Sequence, residues 1–130
     1  MKVYLSGAFD HRDEVAGLSE FMGRAGITVT SNWLHEPPLA YDATEFDMWE
    51  RRARANDDMA DIRRADAFVY ITLWPSTTGG RHVELGMALA WDKRVIRIGP
   101  ADNMFSHLAT IESFETIEAF MQAIVAKEIT

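Results

Sequence analysis

Short apolar runs alternate along this chain with longer stretches in which apolar residues recur every three or four positions, and that alternation predicts its elements. Lys2 to Ser6 (KVYLS) has the β-branched and aromatic content of a short buried strand. Gly7-Ala8-Phe9-Asp10-His11-Arg12 is the turn after it. From Asp13 to Ala25, Val15, Leu18, Phe21 and Met22 fall at helical intervals, with Gly26 placed to close the helix. Ile27 to Ser31 (ITVTS) predicts a second strand. Asn32-Trp33-Leu34-His35-Glu36-Pro37-Pro38 then opens a loop running to about Thr44, since two prolines forbid regular structure there.

A long helix is expected from Thr44, where Thr44-Glu45-Phe46-Asp47 is a near capping box. Phe46, Trp49 and Ala53 share one stripe of it, and Met59, Ile62 and Ala65 are its later apolar positions. Ala67 to Leu73 (AFVYITL) is apolar almost throughout, as a parallel strand covered on both faces should be. The helix after it, through Trp91, carries Gly86, Ala88 and Ala90, which suit close packing on a sheet. Arg94 to Ile98 (RVIRI) is a fourth strand ended by Gly99-Pro100. Asp102 to Leu108 reads as a loop or short turn, Thr110 to Phe114 as a short edge strand, and Ile117 to Lys127 as the closing helix. The fold class is therefore α/β: one domain over residues 1–130, a three-layer α/β/α sandwich on a doubly wound, Rossmann- or flavodoxin-like parallel sheet of about five strands.

Composition narrows the partners. A formal net charge of −7 over 130 residues opposes capture of polymeric nucleic acid, which needs a basic surface. A small ligand fits better. With no cysteine there is neither a disulfide framework nor thiolate chemistry, and a reducing cytoplasm is the simplest location. The first residues lack the anatomy of a signal peptide, and no apolar run approaches the ~20 residues of a membrane span. His11, His35, His82 and His107 are dispersed and no carboxylate cluster has ligand spacing, so neither a metal nor another cofactor is expected. Walker, dinucleotide-binding and nucleophile-elbow patterns are absent too.

Gly79-Gly80-Arg81-His82-Val83-Glu84-Leu85-Gly86, a glycine pair running into a helix with a carboxylate one turn in, reads either as a ligand-holding loop or as a turn that merely starts a core helix. Glycines let backbone N–H groups approach a ligand, the helix start adds partial positive charge, and ligands of open parallel sheets bind at this end of the strands. Tyr4 is a phenol within a buried strand, so it either ties down backbone or orients a polar site group. Trp33 either stacks on a planar ring or caps the core. Asp57, Asp58 and Asp61 either belong to a solvated face, with Arg54 four residues before Asp58, or send one carboxyl into the pocket, where a neighbouring carboxylate helps keep it protonated.

Tyr4-Leu5-Ser6-Gly7-Ala8-Phe9, Asp58 ahead of Ala65-Asp66, and Gly80-x-x-x-Glu84-Leu85-Gly86 together resemble the nucleoside 2-deoxyribosyltransferase family, including its relatives the deoxynucleoside 5'-monophosphate N-glycosidases. The resemblance runs from Lys2 to about Leu108. It implies that Glu84 is the nucleophile at C1' of the sugar, that Tyr4 orients that carboxylate, and that Asp58 donates a proton near the base. The residue types suit this independently, because N-glycosidic cleavage passes through an oxocarbenium-like state that one carboxylate captures while a second acid neutralises the departing base. Candidate substrate-binding residues are Ser6, Gly7, Arg12, Trp33, Thr78, Gly79, Gly80 and Arg81. By the same resemblance Asn103 and Ser106 lie on a loop that reaches a neighbouring subunit's pocket, which implies a homodimer or larger homo-oligomer with a shared site; the local alternative is a pair of turn formers bonded to their own backbone. Asp10 opposes a phosphate dianion if it points inward, whereas the neutral Thr78, which the resemblance places near the sugar 5' end, tolerates one. The resemblance thus implies a nucleoside or its 5'-monophosphate as substrate, and an N-glycosidase or a deoxyribosyltransferase as the enzyme. The competing reading is a non-catalytic nucleotide sensor on the same fold.

Overall fold

The computed structural model describes residues 1–38, 45–76 and 78–129. Its five strands, β1 (Lys2–Ser6), β2 (Thr28–Val29), β3 (Ala67–Ile71), β4 (Arg94–Ile98) and β5 (Glu112–Phe114), form one parallel sheet in the order β2-β1-β3-β4-β5. Four helices connect and close it: α1 (Arg12–Arg24), α2 (Glu45–Arg63), α3 (Gly80–Ala90) and α4 (Ile117–Val125). Right-handed crossovers put α1 on one face and α2 and α3 on the other, and α4 returns to pack on α1. The result is the expected α/β/α sandwich.

This order has a consequence for the site. The chain leaves β1 toward one edge of the sheet and returns through β3 toward the other, so their carboxyl ends flank the crevice where open sheets bind ligands. β3 is buried along its whole length, and β1 from Val3 onward, which makes the walls of that crevice rigid.

Two glycines are demanded by the backbone. Gly26 has φ +84°, the left-handed turn that closes α1. Gly99 has φ +111°, and a Cβ there would lie 2.6 Å from Thr72 Oγ1, so glycine alone lets the end of β4 turn against the end of β3.

Four expectations need correction. β2 is a two-residue strand, shorter than the predicted 27–31, because side-chain hydroxyls replace the ladder beyond Val29. Ser31 Oγ accepts from Leu5 N at 2.7 Å and donates to Leu5 O at 3.2 Å, while Thr30 Oγ1 donates to Asp61 O at 2.9 Å. The loop after it is also more regular than two prolines suggested, starting with a 3₁₀ turn over Asn32–His35; a second 3₁₀ turn, Met104–His107, is the short turn expected within 102–108. Finally, the apolar positions of the long helix divide: Ile62 and Ala65 are buried in the core as expected, whereas Trp49 is 58% exposed, and Ala53 and Met59 are exposed too. Of the three small residues on α3, Gly86 and Ala90 face outward and only Ala88 packs inward. Thr44 of the predicted capping box and the Phe46 side chain lie outside the described residues.

Candidate active site

Residues two apart on a strand share a face, so Tyr4 and Ser6 point the same way from β1. Both hydroxyls meet one carboxylate. Tyr4 Oη donates to Glu84 Oε2 at 2.5 Å, and Ser6 Oγ donates to Glu84 Oε1 at 2.8 Å. The Tyr4 ring is held by stacking on Phe68 of β3, with centroids 5.7 Å apart and planes within 8°. No cation pairs with Glu84 among the described residues. Burial therefore holds the Glu84 carboxyl above the ordinary carboxylate range, and the two hydroxyl donors offset only part of that rise. Tyr4 itself is raised well above the ordinary phenol range, first by burial and then by the charges of Glu84 and Asp58, so it stays a protonated donor.

The second carboxyl stands on α2. Asp58 lines a cavity of about 730 Å³ together with Phe9, Arg12, Trp33, Glu36, Arg54, Thr78 and Gly80. Its Oδ1 is buried and has no hydrogen-bond partner. Burial, followed by the charges of Glu84, Glu36, Asp61 and Asp57, pushes this carboxyl up to about 7. The Arg54 partnership that i, i+4 spacing offered does not form. Arg54 instead bonds Glu50 at 3.0 Å and the Pro37 carbonyl at 2.6 Å, with Glu36 at 3.6 Å.

Three neighbouring aspartates thus have three environments. Asp57 is exposed; Asp61 is buried, accepting from Asn32 N and Nδ2 and paired with Arg64 at 3.0 Å; Asp58 alone faces the cavity without a cation. Sequence spacing could not have ranked them.

The remaining candidates divide. Arg12, Trp33, Thr78 and Gly80 line the cavity beside Asp58. Arg12 Nη1 donates to the Glu36 carbonyl at 2.8 Å with its guanidinium 4.8 Å over the Phe9 ring. Trp33 is largely buried and its Nε1 donates to Leu5 O at 2.8 Å, so it caps the core as well as forming wall. Gly79 is the N-cap of α3; a Cβ on Gly79 would meet nothing within 4 Å and one on Gly80 only Thr78 Oγ1 at 3.9 Å, which leaves bare backbone at the rim. Gly7 lies beneath, where a Cβ would touch Ile71 and Val15 at 3.5 Å. Ser6 is engaged with Glu84.

Arg81, Asn103 and Ser106 do not reach this cavity within one chain. Arg81 is buried, with Nη1 on the Trp74 carbonyl at 2.6 Å and Nη2 on Asp102 at 3.1 Å. Asp102 also accepts from Tyr70 Oη at 3.0 Å, and His82 Nδ1 lies 2.8 Å from the same hydroxyl. Asn103 and Ser106 form a reciprocal capping box on the second 3₁₀ turn. Beside this cluster lies a hollow of about 780 Å³, walled by Val83, Gly86, Leu89, Phe105 and Leu108. Phe9, Glu36 and Arg54 were not anticipated at the first cavity; Phe9, two residues beyond Gly7 in the turn that follows β1, closes the Tyr4–Phe9 stretch, which is the one local signal pointing to it.

The open parallel sheet is shared with proteins of known structure. A Clostridium botulinum CMP N-glycosidase superposes with a TM-score of 0.63 at 18% identity, over 97% of this chain and 99% of that one. A 2-deoxyribosyltransferase from Bacillus psychrosaccharolyticus superposes with a TM-score of 0.67 at 20% identity, over 93% and 90%. A conserved protein from Enterococcus faecalis V583 gives 0.65 at 15% identity, over 98% of each chain. At these identities the likeness is one of fold. No protein-family model matches the chain, and no curated protein matches it by sequence.

Proposed function

We propose that this protein cleaves the N-glycosidic bond of a nucleoside or nucleoside 5'-monophosphate. The observation that carries the reading is a pair of unlike carboxyls: Glu84 held by two hydroxyls, and Asp58 unpartnered in the cavity and pushed up to about 7. One suits a nucleophile and the other a proton donor at neutral pH. A Glu84 oxygen attacks C1', the C1'–N bond breaks, and the base departs with its electron pair and the Asp58 proton. Water or a second base then attacks C1' from the opposite face and displaces Glu84, returning a proton to Asp58. Two inversions retain configuration. The cavity volume of about 730 Å³ falls in the range of small-molecule sites, and the fold shared with an N-glycosidase and a deoxyribosyltransferase supports the same class.

The exposed Trp49, Met59, Val83, Met104, Phe105 and Leu108 on the α2, α3 and 104–108 side support a homo-oligomer, in which Asn103 and Ser106 would adjoin a neighbour's cavity. Sedimentation of the pure protein reads this directly, and a monomer at assay concentration would remove it.

The test of function is chromatography of free base after incubation with a panel of nucleosides and 5'-monophosphates, with and without an acceptor base. Release in water identifies a hydrolase, exchange requiring the acceptor a transferase, and tight binding with neither a sensor.

A further inference from the structure

Glu84 is held from one strand through both of its oxygens. Ser6 is fully buried, its Oγ lies 2.8 Å from Oε1, and Tyr4 occupies Oε2. Such a double grip does two things. It fixes the plane of the carboxylate, and it offers charge-assisted donors to an anion that has left water and has no cation beside it. Both matter when the carboxylate is regenerated, since donors that stabilise the anion make it a better leaving group. They also weaken it as a nucleophile, so their removal should slow the second displacement more than the first.

We propose that Ser6 is a positioning residue for Glu84 that keeps the buried carboxylate ionised and speeds its release from the glycosyl-enzyme. The inference rests on the function proposed above. The charged and titratable groups around Glu84 are Tyr4 on β1 and Asp58 on α2, with Asp61 and Glu36 farther off, all either neutral donors or acids. His82, on the same helix, is turned to Tyr70. Ser6 and Tyr4 are therefore what opposes the burial of Glu84.

The experiment compares wild type with Ser6→Ala, Ser6→Cys and Ser6→Thr. The Glu84 carboxyl is followed by ¹³C NMR titration, with Glu84→Gln identifying its resonance, and turnover is followed by base release and intact-protein mass spectrometry. Losing one donor to a charged group should raise the Glu84 midpoint by about one pH unit in Ser6→Ala and Ser6→Cys, and move the acid limb of kcat/KM with it. Glycosyl-enzyme should accumulate in those variants after a burst of base. Ser6→Thr, which keeps the hydroxyl, should restore both readouts; Ser6→Cys, close to serine in volume, separates loss of the donor from loss of packing. An unmoved Glu84 midpoint, or limbs and adduct levels equal to wild type, overturns the proposal. If wild type releases no base while the midpoint still moves, the grip on Glu84 stands and the glycosidase reading fails.

Discussion

Two neighbouring strands each present a tyrosine to a carboxylate, and the pairs differ in what else surrounds the acid. Tyr4 of β1 meets Glu84, whose only other donor among the described residues is Ser6; Tyr70 of β3 meets Asp102, which also receives the buried Arg81 guanidinium, Asn103 and Ser106. The second carboxylate is neutralised and saturated. The first has no counterion among the described residues, and neither does Asp58, whose carboxyl faces the cavity. The counterion is the difference between the two carboxylates, and under the proposed function it is what would separate a structural acid from a reactive one, since an ion pair lowers both basicity and nucleophilicity while bare hydroxyls leave a lone pair available.

Substituting the two carboxylates breaks the comparison most sharply. Glu84→Gln should lower kcat by about four orders of magnitude or more while nucleoside affinity stays within a few fold, because an amide keeps the shape and loses the nucleophile. Asp102→Asn should do the reverse. It strands a buried guanidinium, costing about 2 to 3 kcal/mol in denaturant unfolding, and leaves kcat within a few fold.

Asp58 supplies the pH dependence. Its proton is present below about 7, so kcat/KM should fall as pH rises through that value, and Asp58→Asn should lose about 10²- to 10³-fold and flatten that limb. Stability should follow the opposite logic to a salt-bridged aspartate. With the folded carboxyl raised, the native state holds more protons than the unfolded one between the ordinary aspartate range and about 7, so stability declines as pH rises through that window. Asp58→Asn should shrink the decline, leaving the share of Glu84 and Glu36, which are raised too, and making the variant at least as stable as wild type at pH 8 by thermal unfolding.

The tyrosines sharpen the comparison least. Tyr4→Phe removes a donor from an unpaired anion and should cost about 10- to 100-fold in kcat, whereas Tyr70→Phe leaves Asp102 with Arg81 and should cost about 1 kcal/mol of stability and almost no rate. Equal kinetic losses in the two would sink the distinction.

Much of the fold was legible because strand and helix periods are local. KVYLS, AFVYITL and RVIRI became β1, β3 and β4, and Val15, Leu18 and Met22 became the buried face of α1. The misreadings came where a contact from elsewhere in the chain prevailed. Thr30 and Ser31 look like strand residues, yet their hydroxyls bond Asp61 and Leu5 from other elements. Trp49 and Ala53 keep helical spacing, but the face they define is not the one that meets this sheet.

The sequence alone determined the α/β alternation and the residue types available for chemistry, since hydrophobic period and side-chain identity need no partner to be read. Only tertiary structure decided which carboxyl received a cation. Arg54 sits one turn from Asp58 yet bonds Glu50 and Pro37, and Arg81 sits one turn from Glu84 yet reaches Asp102 on another loop. Proximity along the chain only sets which pairs are possible. The reactivity of a charge depends on which donors the packed sheet brings within about 3 Å of it, because in a buried setting electrostatic energy falls steeply with distance and water no longer masks the difference.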